Sequence, residues 1–297
     1  MKNVRSLFAI GCVMSTMIAG CGGGGGGGGH STSPAPTPAP TTATGVFVDA
    51  PVAGLTYSSV NAAGNASTTG ATGQNGNFTY VAGGTVTFSV GGIVLGTAPA
   101  LPVMTPITLA LVANPTANAS STSPVTMCRL LASISSTPLS SGQLTITPAM
   151  NAAAAGLTVD FSTVTDAALA TIAQTISPGA TLVDAPTCAN HLANSVYTAF
   201  AGNYGGTFSG GGVSGTWTLT IAAGGTVSGT AINTSNNSQA AILGALASGT
   251  TYTGTAGGVD WTGNLDITKS PVVFSGTYVD ASNSSITGTF TGTATGP

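Results

Sequence analysis

The chain has 297 residues, of which 42% are apolar and only 4% charged, with a formal net charge of -3 and no glutamate. An ordinary soluble domain carries about 25% charged residues, so the surface here has to be built from Thr, Ser, Asn, Gly and Ala. After the N-terminal segment only Arg129 and Lys269 are basic, which excludes the basic stripe that nucleic acid requires. No apolar run after residue 20 reaches the roughly 18 residues of a spanning helix, and the length suits two domains of about 100 to 150 residues.

Lys2 and Arg5 precede an apolar run over residues 7–18, and Ala19 and Gly20 supply small residues before Cys21. These are the parts of a secretory signal in their usual order. The end of the leader, "IAGC" at Ile18, Ala19, Gly20 and Cys21, resembles the bacterial lipobox. The resemblance implies a signal peptide over residues 1–20, cleavage before Cys21 and lipid on its sulfur. Gly22 is not the aspartate that the lipoprotein family associates with inner-membrane retention, so the resemblance implies an anchor in the outer membrane, on its periplasmic face or at the cell surface.

Eight glycines at positions 22–29 then supply chain with little conformational preference, and Pro34, Pro36, Pro38 and Pro40 favour extended polyproline II. Residues 21–44 read as a lipidated tether with an average reach of roughly 25 to 30 Å. His30 within it has no neighbouring ligand residues to hold a metal.

Strand patterns begin at residue 45. "GVFVDAPVAGLTYSSV" is rich in β-branched and aromatic residues, and an Asn75-Gly76 turn precedes alternating Phe78, Tyr80, Val86, Phe88 and Val90. On "VDAPVAG", "TGQNGNFTY" and "VTFSVGGIVLG" this stretch resembles the transthyretin-like, carboxypeptidase-regulatory type of β-sandwich module common in bacterial surface proteins. Related modules often carry aspartates before the turn glycine; Gln74 and Asn75 stand there, which argues against calcium.

Three short helices are expected next. "SPVTMCRLLASIS" sets Met127, Leu130, Leu131 and Ile134 at helical spacing, "TDAALATIAQTI" does so with Leu169, Ile172 and Ile176, and "DAPTCANHLANSVYTAF" with Cys188, Leu192, Val196 and Phe200. Pro124 and Pro186 fall in first turns, where proline is tolerated. "AMNAAAAGLTVDF" leaves helix and loop both open. With "CRLL" and "ANHL" following the sandwich pattern, residues 45–200 resemble a class of bacterial surface lipoproteins that carries no known reaction.

From residue 201 onward the chain alternates strictly. Trp217, Leu219 and Ile221 interleave with Thr216, Thr218 and Thr220, while Trp261, Leu265 and Ile267 interleave with Thr262, Asn264 and Asp266. About eight strands are expected, with Gly215, Gly229, Gly263, Gly276 and Gly288 inside them permitting strong coiling or a neighbouring aromatic ring. A closed or nearly closed antiparallel meander over residues 201–297 removes the exposed edges. A transmembrane barrel needs an outward apolar band with aromatic girdles; here one face is threonine, so the barrel is expected to face water. The fold class is mainly β with a small helical layer: an N-terminal sandwich with helices, then a C-terminal barrel.

Chemistry-bearing residues are few. Cys12 leaves with the signal and Cys21 takes lipid, so Cys128 and Cys188 remain as a pair in an oxidising compartment. A disulfide between the first and last helices is expected, with two buried free thiols as the alternative. His191 is the only histidine after the tether; Ser195 and Asp184 complete a nucleophilic set on paper, but no strained elbow surrounds Ser195, and a structural histidine is the simpler reading. Asp260 and Asp266 share a face of one strand, which sets them near 20 Å apart at about 3.3 Å per residue, too far for either glycosidase geometry. The polyglycine run neither follows a strand nor opens a helix, so it cannot cradle phosphate.

No catalytic residue, metal or cofactor is therefore expected. The lipobox resemblance, the tether and β modules without catalytic residues together imply a lipid-anchored, non-enzymatic envelope protein acting in adhesion or envelope organisation, with the membrane as partner through its lipid and another surface protein as a second. The alternative is a binder of a glycan or small apolar ligand in the C-terminal barrel, lined by Trp217, Trp261 and Phe274. A filled barrel favours the first, and an empty cavity the second.

Overall fold

A computed structural model describes residues 41–64 and 67–295. The expected leader, the expected lipidation site Cys21, His30 and the expected tether up to residue 40 lie outside the described residues. The alternating stretch after the tether forms two sheets. Strands β1 (Thr42–Phe47), β2 (Val52–Ala53), β3 (Thr56–Val60), β4 (Ser67–Ala71), β5 (Asn77–Val81), β6 (Thr85–Val90), β7 (Ile93–Pro99) and β8 (Val103–Met104) follow one another. One sheet has the order β5-β1-β8 and the other β4-β3-β6-β7. Residues of both sheets share one core, in which Phe88 of β6 meets Phe47 of β1 at 4.7 Å and Phe78 of β5 at 4.9 Å between ring centroids. The Asn75-Gly76 turn needs its glycine: φ is +71° at Gly76, and a Cβ there would collide with the Phe47 carbonyl oxygen.

The helical layer comes next. Helix α1 (Pro106–Leu111) is short and closed by a reciprocal cap in which Thr105 and Thr108 each accept from the other's backbone N–H. Six residues, five of them apolar, carry no readable period, so the sequence does not announce this helix. Helix α2 (Thr122–Ile134) is buried on nearly every side, because Met127, Leu130 and Leu131 enter the sandwich core while Val125 and Cys128 enter the next one. Strand β9 (Leu144–Thr145) pairs with β2. Helix α3 (Pro148–Ala153) settles the open stretch as one turn and a half of helix followed by loop. Helices α4 (Asp166–Ile176) and α5 (Ala185–Ala199) lie where the periodicity puts them, capped by Thr165 and Asp184.

Strands β10 (Gly202–Gly210), β11 (Val213–Ile221), β12 (Thr226–Asn233), β13 (Gln239–Ala247), β14 (Thr251–Ala256), β15 (Val259–Asp266), β16 (Val273–Asp280) and β17 (Thr287–Ala294) close into an eight-stranded antiparallel barrel. Closure is made by β10 against β17, with Thr207 opposite Thr291 and Phe208 opposite Phe290. Two glycines make room for the core: a Cβ at Gly263 would strike the ring of Phe290, and one at Gly292 the indole of Trp217. Hydroxyl side chains form rows across the outside. Thr253, Thr262, Thr277, Thr289, Ser209 and Ser214 are successive cross-strand neighbours, and all are exposed. Aromatic residues inside and hydroxyls outside invert the arrangement of a membrane-spanning barrel.

The sandwich, helices and barrel belong to one compact unit. The helices stopper one mouth of the barrel: Ile107 of α1, Val196 and Tyr197 of α5, and Phe200 join Ile221, Val227, Leu246 and Ile267 in a common core. Tyr204 Oη donates to the Phe200 carbonyl at 2.8 Å, fixing the exit of α5 into β10. Among the described residues no helix is long and apolar enough to cross a membrane.

Candidate functional site

Alternation sends every second barrel residue inward, and the middle of the barrel is filled by the rings so delivered. Trp217 and Phe274, 1% and 0% exposed, lie 5.7 Å apart, and Phe274 also meets Tyr252 at 5.1 Å and Phe290 at 5.3 Å. Trp217 Nε1 donates to the Thr207 carbonyl at 3.1 Å, so its one polar atom is satisfied. Burial pushes the Tyr252 hydroxyl up to about 12. Edge-to-face and tilted rings at these separations leave no room for a ligand between them.

The mouth away from the helices is different. Trp261 stacks on Tyr278 at 5.6 Å and 24°, and Phe208 stands edge-on to both at 5.8 and 6.0 Å. Facing these rings, strands β12, β13 and β14 contribute the small side chains of Ala231, Ala240 and Ala256, with Asn233 at the end of β12. Small side chains facing large ones leave an open hollow of about 310 Å³. Of the three residues singled out from the sequence as ligand contacts, Trp261 lines this hollow, whereas Trp217 and Phe274 belong to the packed middle.

A second cluster joins the sandwich to α5. Asp49, in the turn between β1 and β2, is 0% exposed, and neither carboxylate oxygen has a hydrogen-bond partner. His191 Nε2 lies 3.4 Å from Asp49 Oδ1, within ion-pair reach though not aligned for a hydrogen bond, and 3.4 Å from Ser195 Oγ. Ser195 Oγ in turn accepts from the Ala50 N–H at 3.5 Å. Burial raises the Asp49 carboxyl to about 7 and lowers the His191 imidazole. A nucleophilic relay places the acid on one ring nitrogen and the hydroxyl on the other; here both face the same nitrogen. The cluster bridges two layers of the fold and lacks that relay geometry.

Asp184, the carboxylate that accompanies His191 in the sequence reading, caps α5 instead, accepting from the Thr187 N–H and hydroxyl at 2.8 Å each. Those hydrogen bonds hold its pKa below the usual carboxylate range. Asp49 was the residue to find. Its signal was a lone carboxylate amid apolar neighbours in "VFVDAPVAG", a pattern that marks a buried charge without naming its partner.

Cys128 of α2 and Cys188 of α5 form a disulfide with Cα atoms 5.8 Å apart, within the usual range. Next to it Arg129 makes a bidentate pair with Asp166, at 2.7 and 3.0 Å, and donates from Nε to the Val183 carbonyl at 2.8 Å. Asp260 and Asp266 both lie on β15, and Asp266 is occupied by the Thr268 N–H and hydroxyl. Among the described residues no group of three or more His, Cys, Asp or Glu side chains is placed to hold a metal. Comparison of the chain with protein-family models, curated proteins and solved structures found no match.

Proposed function

We propose that this chain is a lipid-anchored protein of the bacterial cell envelope, held at the outer membrane through Cys21, whose β body acts by its surface in adhesion or envelope organisation. The observation that carries the reading is the barrel: its middle is packed with interlocking aromatic rings while its outer wall presents rows of exposed hydroxyls. Such a wall offers dense, uncharged hydrogen bonding to a partner protein or glycan and needs no titrating group. The leader and "IAGC" supply the anchor, and the glycine and proline tether supplies the distance from the headgroups.

The test is expression of the full chain in a double-membraned bacterial host. The mature protein is expected to begin at Cys21 with lipid attached and to sediment with the outer membrane, and Cys21→Ser to release it. An unlipidated mature N-terminus at another residue overturns the anchor. A second reading, a small-ligand binder, is favoured by one observation, the hollow at the far mouth of the barrel.

A further inference from the structure

The hollow has the make-up of a binding site. It is open to solvent at one end and floored by three rings, and with a volume of about 310 Å³ it falls at the lower end of small-molecule sites. Water within it, roughly ten molecules by volume, finds polar side chains only in Asn233, Ser238 and Asp280, beside the β12–β13 and β16–β17 turns, and Asn233 Oδ1 already accepts from the Ser235 N–H at 2.9 Å. Tyr278 Oη already donates to the Gly210 carbonyl at 2.9 Å, and the strand backbones are engaged in the closed ladder. Such poorly bonded water is readily displaced by an apolar molecule.

Charge selects against ions of either sign. Asp280 at the rim accepts from the Ser282 N–H and hydroxyl at 2.8 and 2.6 Å and from the Asn283 N–H at 3.1 Å, which turns its carboxylate back onto its own loop. The two cationic side chains of the described body are remote or engaged: Arg129 is bound to Asp166, and Lys269 lies in the turn between β15 and β16, at the mouth nearer the helices. Size follows from volume, since an apolar cavity of about 150 Å³ accommodates a single benzene ring.

We propose that the hollow bounded by Phe208, Trp261 and Tyr278 on one side and Ala231, Ala240 and Ala256 on the other binds a small uncharged apolar molecule the size of two fused rings. The inference is independent of the lipid anchor and rests on the second reading above. It assigns the three alanines a purpose: larger side chains at those positions would complete the barrel core, and their absence creates the site.

The experiment titrates the full mature protein with three probes: naphthalene, methyl β-glucoside and tetramethylammonium. Binding is followed by tryptophan fluorescence and by the methyl resonances of the three alanines. Saturable naphthalene binding that shifts these methyls is expected, weakened at least about tenfold in both Ala240→Phe and Ala231→Leu while their melting temperatures stay near wild type. Two variants guard against one that fails to fold. Saturation by the glucoside or by tetramethylammonium in place of naphthalene overturns the apolar ligand class but leaves the binding reading standing. Saturation by none of the three, or naphthalene binding indifferent to both variants, overturns the site.

Discussion

The carboxylate of Asp49 lies 3.4 Å from Nε2 of His191, across the seam between the β1–β2 turn and α5. Neither residue has another ionic partner among the described residues, and α5 also carries one end of the disulfide and the stopper of the barrel. This pair therefore ties the sandwich to the element on which the barrel mouth depends. Its two members titrate in opposite senses, which allows their contributions to be separated.

The first prediction follows from those signs. Asp49 has a folded value of about 7 against an ordinary 3.8, so the folded protein binds the extra proton between these limits and loses stability as pH rises from about 4 to about 7. His191 is lowered from 6.5, so its contribution is present above that value and is lost as pH falls below it. In the wild type the two slopes oppose each other below pH 6.5. Denaturant unfolding of His191→Gln should show stability falling steadily between about pH 4 and 7, by an amount on the order of a few kcal/mol. Asp49→Asn should show the reverse slope, rising toward pH 6.5 and then flat. Parallel profiles for the two variants would disprove the opposed effects of burial on Asp49 and His191.

A second prediction concerns the Cys128–Cys188 bond, which closes a loop of 60 residues. On loop-closure entropy its removal costs about 4 kcal/mol. Replacement of both cysteines by serine should lower the unfolding midpoint to that extent, and reductant should do the same to the wild type but nothing further to the variant. The loosened element is α5, so amide exchange should rise first along residues 185–199.

The third prediction separates the two faces of the barrel wall. Trp217→Ala and Phe274→Ala each open a void in the packed middle and should cost about 3 to 5 kcal/mol. Thr262→Ala and Thr277→Ala change exposed members of a hydroxyl row and should stay within about 0.5 kcal/mol. Thermal melts of the four variants check the contrast. If the surface reading of function is right, the two threonine variants should instead weaken attachment to the partner.

The fourth prediction is catalytic silence. A panel of ester, peptide and glycoside substrates should show no turnover above background, because His191 presents the same nitrogen to both Asp49 and Ser195. His191→Ala should change stability alone. Turnover by the wild type that disappears in a folded His191→Ala protein would assign this cluster a chemical role.

Alternation and helical spacing were enough to place β11, β15, α2, α4 and α5 and to assign the inward residues Trp217, Leu219, Ile221, Trp261 and Leu265, because each pattern reports how one element divides its own side chains between core and water. Setting aside Cys12 and Cys21 left Cys128 and Cys188 as a disulfide or two buried free thiols, and the packing of α2 against α5 decided for the bond. Tertiary structure decided what depends on partners distant in the chain. Closure of the barrel joins Thr207 to Thr291, the two faces of α2 serve different cores, and Asp49 meets His191 rather than Asp184. Ala231, Ala240 and Ala256 read as unremarkable small residues in three strands; only the register of the closed barrel sets them across from Trp261 and Tyr278, where the missing volume becomes a hollow. A period records an element's exposure, while the residue it faces across a core is fixed by long-range pairing that no local window contains.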